Sequence, residues 1–414
     1  MAWSLNASPV RSEARTLTLR QAIESAVQNN GELQAFRLEQ GSREAAEVRA
    51  VLPVNPILDF EGSTGALTGS PHESSLALGV SQEFMPAGKR DKRLDSAHRD
   101  KEAFRWRVAV RERSLRDEVK TAWCALLLAE QRVALAEHSI ALSRQLLNVA
   151  KERLAAGDIP ELEFNLMNVE LARSEVSRIA AAREVITCQA RLRSLMGAPL
   201  SGQLTVAGDL AVTVPVVKSL AELQQAARSN RPDLKALESE KAKSDADIVL
   251  AQAERIPNVT AGLLFRRDST SRELGGGGDT AYAIGLKLSV PIPVFDRNQA
   301  GIQEARGRKN SAETRLDAAL AEIEREVATA YTAFQNAESV LSLYRNSILA
   351  QLEENLKLTQ EAYRLGEVDV LAVIQEQKKF IEVNDGYLTA LHDRQTAVVT
   401  LESAVGIELS GGAP

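Results

Sequence analysis

Between Lys89 and Leu154 apolar residues return at alternating steps of four and three. The series is Leu115, Val119, Ala122, Leu126, Ala129, Val133, Ala136, Ile140, Ser143, Leu147, Ala150 and Leu154, with Ser143 its single polar member. That spacing is the heptad seam of a long helix lying against other helices. The same series recurs 208 positions on, from Ile323 through Val327, Ala330, Phe334 and Leu341 to Leu358 and Ala362, with Gln351 and Asn355 polar. No proline interrupts 89–154 or 298–365. At about 1.5 Å per residue each helix approaches 100 Å, longer than globular domains use. Each ends in a short turn, at 155–160 and 365–369, with Gly157 and Gly366 as stop signals. A second helix then runs back, from Glu161 to Met196 and from Val370 to Val405, closed by Gly197 and Gly406.

Ahead of each long helix the period drops to two. Leu58, Phe60 and Gly62 alternate with Asp59, Glu61 and Ser63, and Leu76, Leu78 and Val80 with Ala77, Gly79 and Ser81. Val259, Ala261, Leu263 and Phe265 form a third series, and Tyr282, Ile284, Leu286, Leu288 and Val290 a fourth, after the loop Gly275–Gly278. The spacing predicts four strands, about 56–66, 75–84, 257–267 and 280–290, in two hairpins with one apolar and one small or polar face. That alternation fits a membrane β-barrel and also an ordinary half-buried sheet. Four strands cannot close a barrel alone, and strands between such helices need other chains to cover their edges; a trimer supplies twelve.

The chain is therefore written twice. Leu19, Ala26 and Leu33 recur as Leu220, Ala227 and Leu234, 201 on; Lys89, Val119 and Trp123 as Arg297, Val327 and Tyr331, 208 on; Gly157 and Gly197 as Gly366 and Gly406, 209 on. The two repeats are 15–214 and 215–410. The growing offset is expected to fall in strands and turns.

Composition narrows the function. Charged residues make up 26% and aromatics only 4%, and the net charge is −6 without a basic run, which argues against nucleic acid. His72, His98, His138 and His392 are scattered, and no catalytic triad, phosphate loop or clustered metal ligands stand out, so neither an enzyme nor a cofactor is expected. Cys124 and Cys188 read as two buried small apolar residues rather than a disulfide. No run of 18 apolar residues exists. Residues 1–14 lack a signal-peptide core, though Ser12-Glu13-Ala14 looks like the tail of a cleavage site.

Together these features resemble the TolC family of outer-membrane efflux proteins, from about Leu17 to Leu409. The junction Pro291-Ile292-Pro293-Val294-Phe295-Asp296-Arg297-Asn298-Gln299-Ala300-Gly301, with Gly88-Lys89-Arg90 as its counterpart, is similar to the heavy-metal branch, the CzcC-like and CusC-like proteins. The resemblance implies a mainly α fold with membrane β: a homotrimer whose protomers each give four strands to a shared twelve-stranded barrel in outer-membrane lipid, with a periplasmic tube of coiled helices. It implies a passive exit duct for divalent heavy-metal cations, served by a periplasmic adaptor and an inner-membrane RND pump. A duct for drug efflux or type I secretion, and a soluble structural coiled coil, remain as other readings. Tyr363-Arg364-Leu365-Gly366 matches the family's periplasmic tip, and Tyr363 and Asp369 are carried over as aperture residues. Ala372 and Glu367 depart from the family's aperture pattern. Asp369 either rings the constriction or caps the following helix. The tips at Gly157, Asp158, Gly366 and Glu367 are the expected adaptor-docking points. With no cysteine near the start, a lipid anchor is not expected.

Overall fold

The computed structural model describes residues 16–70, 73–199, 204–212, 218–270 and 279–409. The Gly275–Gly278 loop, His72 and the Ser12–Ala14 stretch lie outside them. In chain order the elements are β1 (Thr16–Leu17), α1 (Leu19–Asn29), α2 (Gly31–Leu38), α3 (Gln40–Val51), β2 (Ile57–Thr64), β3 (Ser74–Phe84), α4 (Lys89–Ala156), α5 (Glu161–Met196), β4 (Thr205–Val206), α6 (Leu220–Asn230), α7 (Pro232–Ala253), β5 (Val259–Thr270), β6 (Asp279–Ser289), α8 (Gln299–Leu343), a π-turn (Tyr344–Ile348), α9 (Leu349–Leu365) and α10 (Val370–Val405). The expected helices and strands all form, with ends within a few residues of those expected. The repeat also reaches the caps. Thr18 with Gln21 and Ser219 with Glu222 build capping boxes at the starts of α1 and α6.

Two compact units divide the chain, each drawing on both repeats. One comprises residues 38–107 and 233–319. Its centre is an antiparallel sheet in the order β2-β3-β5-β6. Register places Leu58, Val80, Leu263 and Leu286 in one cross-strand row and Phe60, Leu78, Phe265 and Ile284 in the next. All eight side chains are exposed. The alternate positions carry Asp59, Ala77, Gly79, Ser81, Gly262, Gly285 and Lys287. A sheet in water turns such apolar rows toward a core; here the rows face outward, as a lipid-facing surface does.

The other unit comprises residues 1–37, 108–232 and 320–414 and is almost wholly helical. Its larger core gathers Ala22, Leu33, Leu115, Val119, Trp123, Leu126, Leu192, Leu341 and Leu391, all buried. Among the described residues no helix is long and apolar enough to cross a membrane. Cys124 is buried, and burial pushes its thiol up to about 11. Cys188 differs from expectation: it is half-exposed on α5, and both thiols are free.

The α4 seam is buried or half-buried at every expected position. The second seam follows expectation only as far as Tyr344, which is half-buried against the larger core. Beyond it Gln351, Asn355 and Leu358 are exposed, Leu358 by 61%, and the buried residues are Leu352, Leu356 and Tyr363. The π-turn is the cause. One extra residue in a helical turn rotates everything after it by about 100°, one residue's worth of phase. The growth of the repeat offset from 208 to 209 therefore falls inside a helix, at Tyr344–Ile348, not in a turn between elements. With 209 applied, Ser143, Leu147 and Leu154 answer to Leu352, Leu356 and Tyr363, and the polar interruption disappears.

Candidate functional site at the hairpin tips

Each tip turns on one left-handed glycine. Gly157 has φ +80° and Gly366 φ +82°. The amides of Asp158 and Glu367 reach back to the carbonyls of Arg153 and Ala362, both at 2.9 Å, which closes each helix in a Schellman turn. A β-carbon at Gly157 meets open space, whereas one at Gly366 lies 3.3 Å from Arg153 Nη2. Asp158, Glu367 and Asp369 are exposed. Pro160 precedes α5 without a side-chain cap, while Asp369 Oδ1 accepts from the Ala372 N–H at 2.8 Å and caps α10.

Behind the tips lies a second apolar cluster of Leu146, Ala150, Ile159, Met167, Tyr363, Val370, Val373 and Ile374. Tyr363 is fully buried in it, 0% exposed, so within one protomer it faces the cluster and not the open side of the tip. Arg153 Nη1 donates to the Tyr363 carbonyl at 2.9 Å, and its guanidinium carbon sits 4.9 Å from the ring centroid. One side chain of α4 thus holds the end of α9 by a charged hydrogen bond and a cation–π contact. Burial pushes the Tyr363 hydroxyl above its ordinary range, the Glu163 charge adds to this, and Arg153 opposes it. Asp369 and Tyr363 do not come together: one is exposed at a helix cap, the other is core.

A polar layer separates the tip cluster from the larger core. Gln377 Nε2 donates to Ser143 Oγ at 2.7 Å, and Ser139 and Ser143 each share a hydrogen bond with Ser174 at 3.2 Å. All four residues are buried. Ser143, the lone polar seam residue, signals this layer in the sequence. Gln377 carries no such signal, because its partners stand more than 200 positions away.

Two outward stripes complete the helical unit. Leu162, Val169, Val176, Ile179 and Ile186 are exposed along α5 at heptad-related spacing, and Leu358 and Leu365 are exposed on α9. Unpartnered apolar stripes of this period are coiled-coil faces without their partners.

The profile of the outer membrane efflux protein family matches residues 22–198 and again 223–407. The chain belongs to that family. The family's members are transport proteins of the outer membrane, and this chain is placed there with them. It is similar to the cobalt-zinc-cadmium resistance protein CzcC of Cupriavidus metallidurans, 24% identical over 396 residues, which span 96% of this chain and 91% of that protein. The nickel-cobalt-cadmium resistance protein NccC of Alcaligenes xylosoxydans xylosoxydans is 28% identical over 293 residues, 69% of this chain and 62% of the relative. A crystal structure of CusC superposes with a TM-score of 0.76 at 21% identity, covering 94% of this chain and 92% of CusC. VceC of Vibrio cholerae gives 0.74 at 15% identity, covering 94% and 96%. The fold is that of the TolC-like channels.

Proposed function

We propose that this protein is the outer-membrane duct of a three-part efflux assembly that expels divalent heavy-metal cations. The observation that carries the reading is the similarity to the cobalt-zinc-cadmium resistance protein, which runs nearly end to end in both chains. The duct is passive. Choice of metal then belongs to an inner-membrane RND pump and a periplasmic adaptor. Three protomers, each of the two repeats 15–214 and 215–410, close the barrel with twelve strands and seat the α5 stripe of one protomer against the α9 stripe of the next. The adaptor docks at Gly157, Asp158, Gly366 and Glu367. Three Asp369 carboxylates ring the aperture and attract cations, and Tyr363 serves that aperture from inside the protomer by anchoring Arg153.

Loss of the gene in its own host is expected to raise sensitivity to cobalt, zinc, cadmium or nickel salts and leave tolerance of hydrophobic drugs unchanged. The opposite pattern reassigns the duct to organic substrates, as for the pyoverdine export protein OpmQ of Pseudomonas putida, 22% identical over 98% of this chain. The ring has its own test in a planar bilayer. Asp369→Asn keeps a capping side chain and removes the charge, because asparagine caps as well as aspartate. Block of the channel by divalent cations should weaken in D369N, and an unchanged block refutes the ring. Bulky side chains at Gly157 or Gly366 should abolish resistance while the trimer persists.

A further inference from the structure

A cleft of about 420 Å³ opens between α4 and α9 over a floor of α10, on the tip side of the π-turn. Gln131 and His138 line it from α4, Glu353 from α9, and Phe380, Asn384 and Tyr387 from α10. Among the described residues Gln131, His138 and Glu353 make no hydrogen bond or ion pair. Asn384 spends its Nδ2 on the Phe380 carbonyl at 2.8 Å, which leaves Oδ1 without a partner. His98 and His392 differ: each has a carboxylate beside Nδ1, Glu47 at 3.0 Å and Asp393 at 3.3 Å. His138 instead lies against the Phe380 ring, centroids 5.8 Å apart, a contact that orients the imidazole and uses neither nitrogen.

Charge decides what kind of ligand fits. No lysine or arginine lines the cleft. The nearest cations on its walls are committed elsewhere, Arg132 to Asp385 at 2.6 and 3.1 Å and Lys378 to Glu170 at 3.5 Å. Glu353 is the one carboxylate of the lining and has no counter-ion. An imidazole, a carboxylate and amide oxygens together suit zinc, cobalt and nickel, whereas magnesium and calcium take oxygen alone. The space exceeds that of an ion with six waters, roughly 180 Å³ at about 30 Å³ per water. The first repeat has no such cleft chemistry: at the offset of 209, Glu353 answers to Arg144, which is paired with Glu175 at 3.4 Å. Glu353 also stands five residues before Leu358, about 140° around α9 from it, so the cleft opens away from the stripe that meets the next protomer.

We propose that His138 and Glu353, with the Asn384 and Gln131 amide oxygens, form a weak binding site for a borderline divalent cation of the zinc, cobalt or nickel type. Among the described residues no three of His, Cys, Asp and Glu are grouped to hold a metal ion. The ion therefore keeps most of its waters and leaves as readily as it enters, which conduction requires. The site deepens the heavy-metal reading of the duct and rests on it for the identity of the ion.

The test uses the detergent-solubilised protein with a bimane dye on Ala141→Cys, about one helical turn from His138 on α4, in a Cys188→Ser background. Nickel chloride is the probe, because nickel bound close to the dye quenches it over a short range. Quenching should saturate. The half-saturating nickel concentration should rise at least ten-fold in His138→Ala and several-fold in Glu353→Gln. Both side chains are exposed, so neither variant threatens the fold. An unchanged curve in H138A overturns the site. A curve moved by H138A and not by E353Q leaves a lone surface imidazole and overturns the shared cleft. Displacement of nickel by an equal concentration of magnesium shows attraction by charge alone and overturns the ligand assignment. Binding is read on the protein itself: saturable, H138A-sensitive quenching upholds the site even where loss of the gene leaves metal tolerance unchanged, and its failure leaves the metal-resistance assay to decide the cargo.

Discussion

Lys120 and Glu402 form the most deeply buried ion pair described in the helical unit. Lys120 Nζ lies 2.7 Å from Glu402 Oε2, with side chains 11% and 4% exposed. Glu402 Oε1 accepts from the Leu409 N–H at 2.8 Å, and Arg113 donates to the Glu402 carbonyl. The pair ties the middle of α4 to the last turn of α10. Lys120→Met keeps most of the packing and removes the ammonium, leaving the Glu402 carboxylate, 4% exposed, without the Lys120 charge. Removing one partner of such a pair costs about 3–5 kcal/mol, because the survivor's desolvation is no longer offset. That is roughly two to three and a half orders of magnitude in the folded-to-unfolded ratio. The exposed Glu408, 3.6 Å from Lys120, adds little, since surface pairs contribute about 0–1 kcal/mol. In the double variant Lys120→Met/Glu402→Gln the charge is gone, and the amide oxygen can still accept from Leu409. It should regain most of the loss, as apolar or neutral replacements of buried pairs do. The assay is thermal or urea unfolding of the detergent-solubilised protein, followed by helical circular dichroism. A single variant within about 0.5 kcal/mol of the parent, or a double variant no better than the single, refutes the reasoning.

Three further outcomes are expected. Burial holds the Asp117 carboxyl above its ordinary range, despite a hydrogen bond with Ser403 and the Arg113 and Lys120 charges. The folded state then keeps a proton that the unfolded chain has lost. The contribution of Asp117 to stability should be greatest below the usual carboxylate value of about 4 and be lost as pH rises through the raised folded value, and Asp117→Asn should remove that component from unfolding measured against pH. Gly366→Ala and Gly157→Ala both force an alanine into the left-handed region, at about 1 kcal/mol each, but only the first also crowds Arg153, whose Nη2 would lie 3.3 Å from the new β-carbon; G366A should therefore lower the melting midpoint more than G157A. Cys124, its thiol pushed up to about 11, should resist maleimide at pH 7.5 in the folded trimer, and labelling as fast as in the denatured chain contradicts its burial.

The elements were legible because each rests on a local period. The α4 seam, the strand alternation and the tip glycines are decided by residues a few positions apart, and all stand where the sequence puts them. What escaped was set at long range. Nothing near Tyr344 announces that the helix will take in an extra residue, so the α9 seam was read one residue out of phase. Tyr363 was legible as a tip residue but not as a buried one, because its burial depends on Arg153 and Met167 in the other hairpin. Gln377 escaped for the same reason, since its serine partners lie on α4 and α5.

The π-turn also bears on how a doubled gene becomes two different parts. Immediately after duplication every surface exists in two interchangeable versions, and a partner that recognises one recognises the other. Substitutions erode that equivalence slowly, one side chain at a time. A single inserted residue in a continuous α-helix would do it in one step, turning all that follows by about 100°; the π-turn takes up the extra residue instead, so Leu352, Leu356 and Tyr363 stay on the inner face that Ser143, Leu147 and Leu154 occupy in the first hairpin. The two hairpins therefore share one phase although one of them carries an extra residue. The tips can then diverge only through their side chains, as Gly157 beside open space and Gly366 beside Arg153 already do.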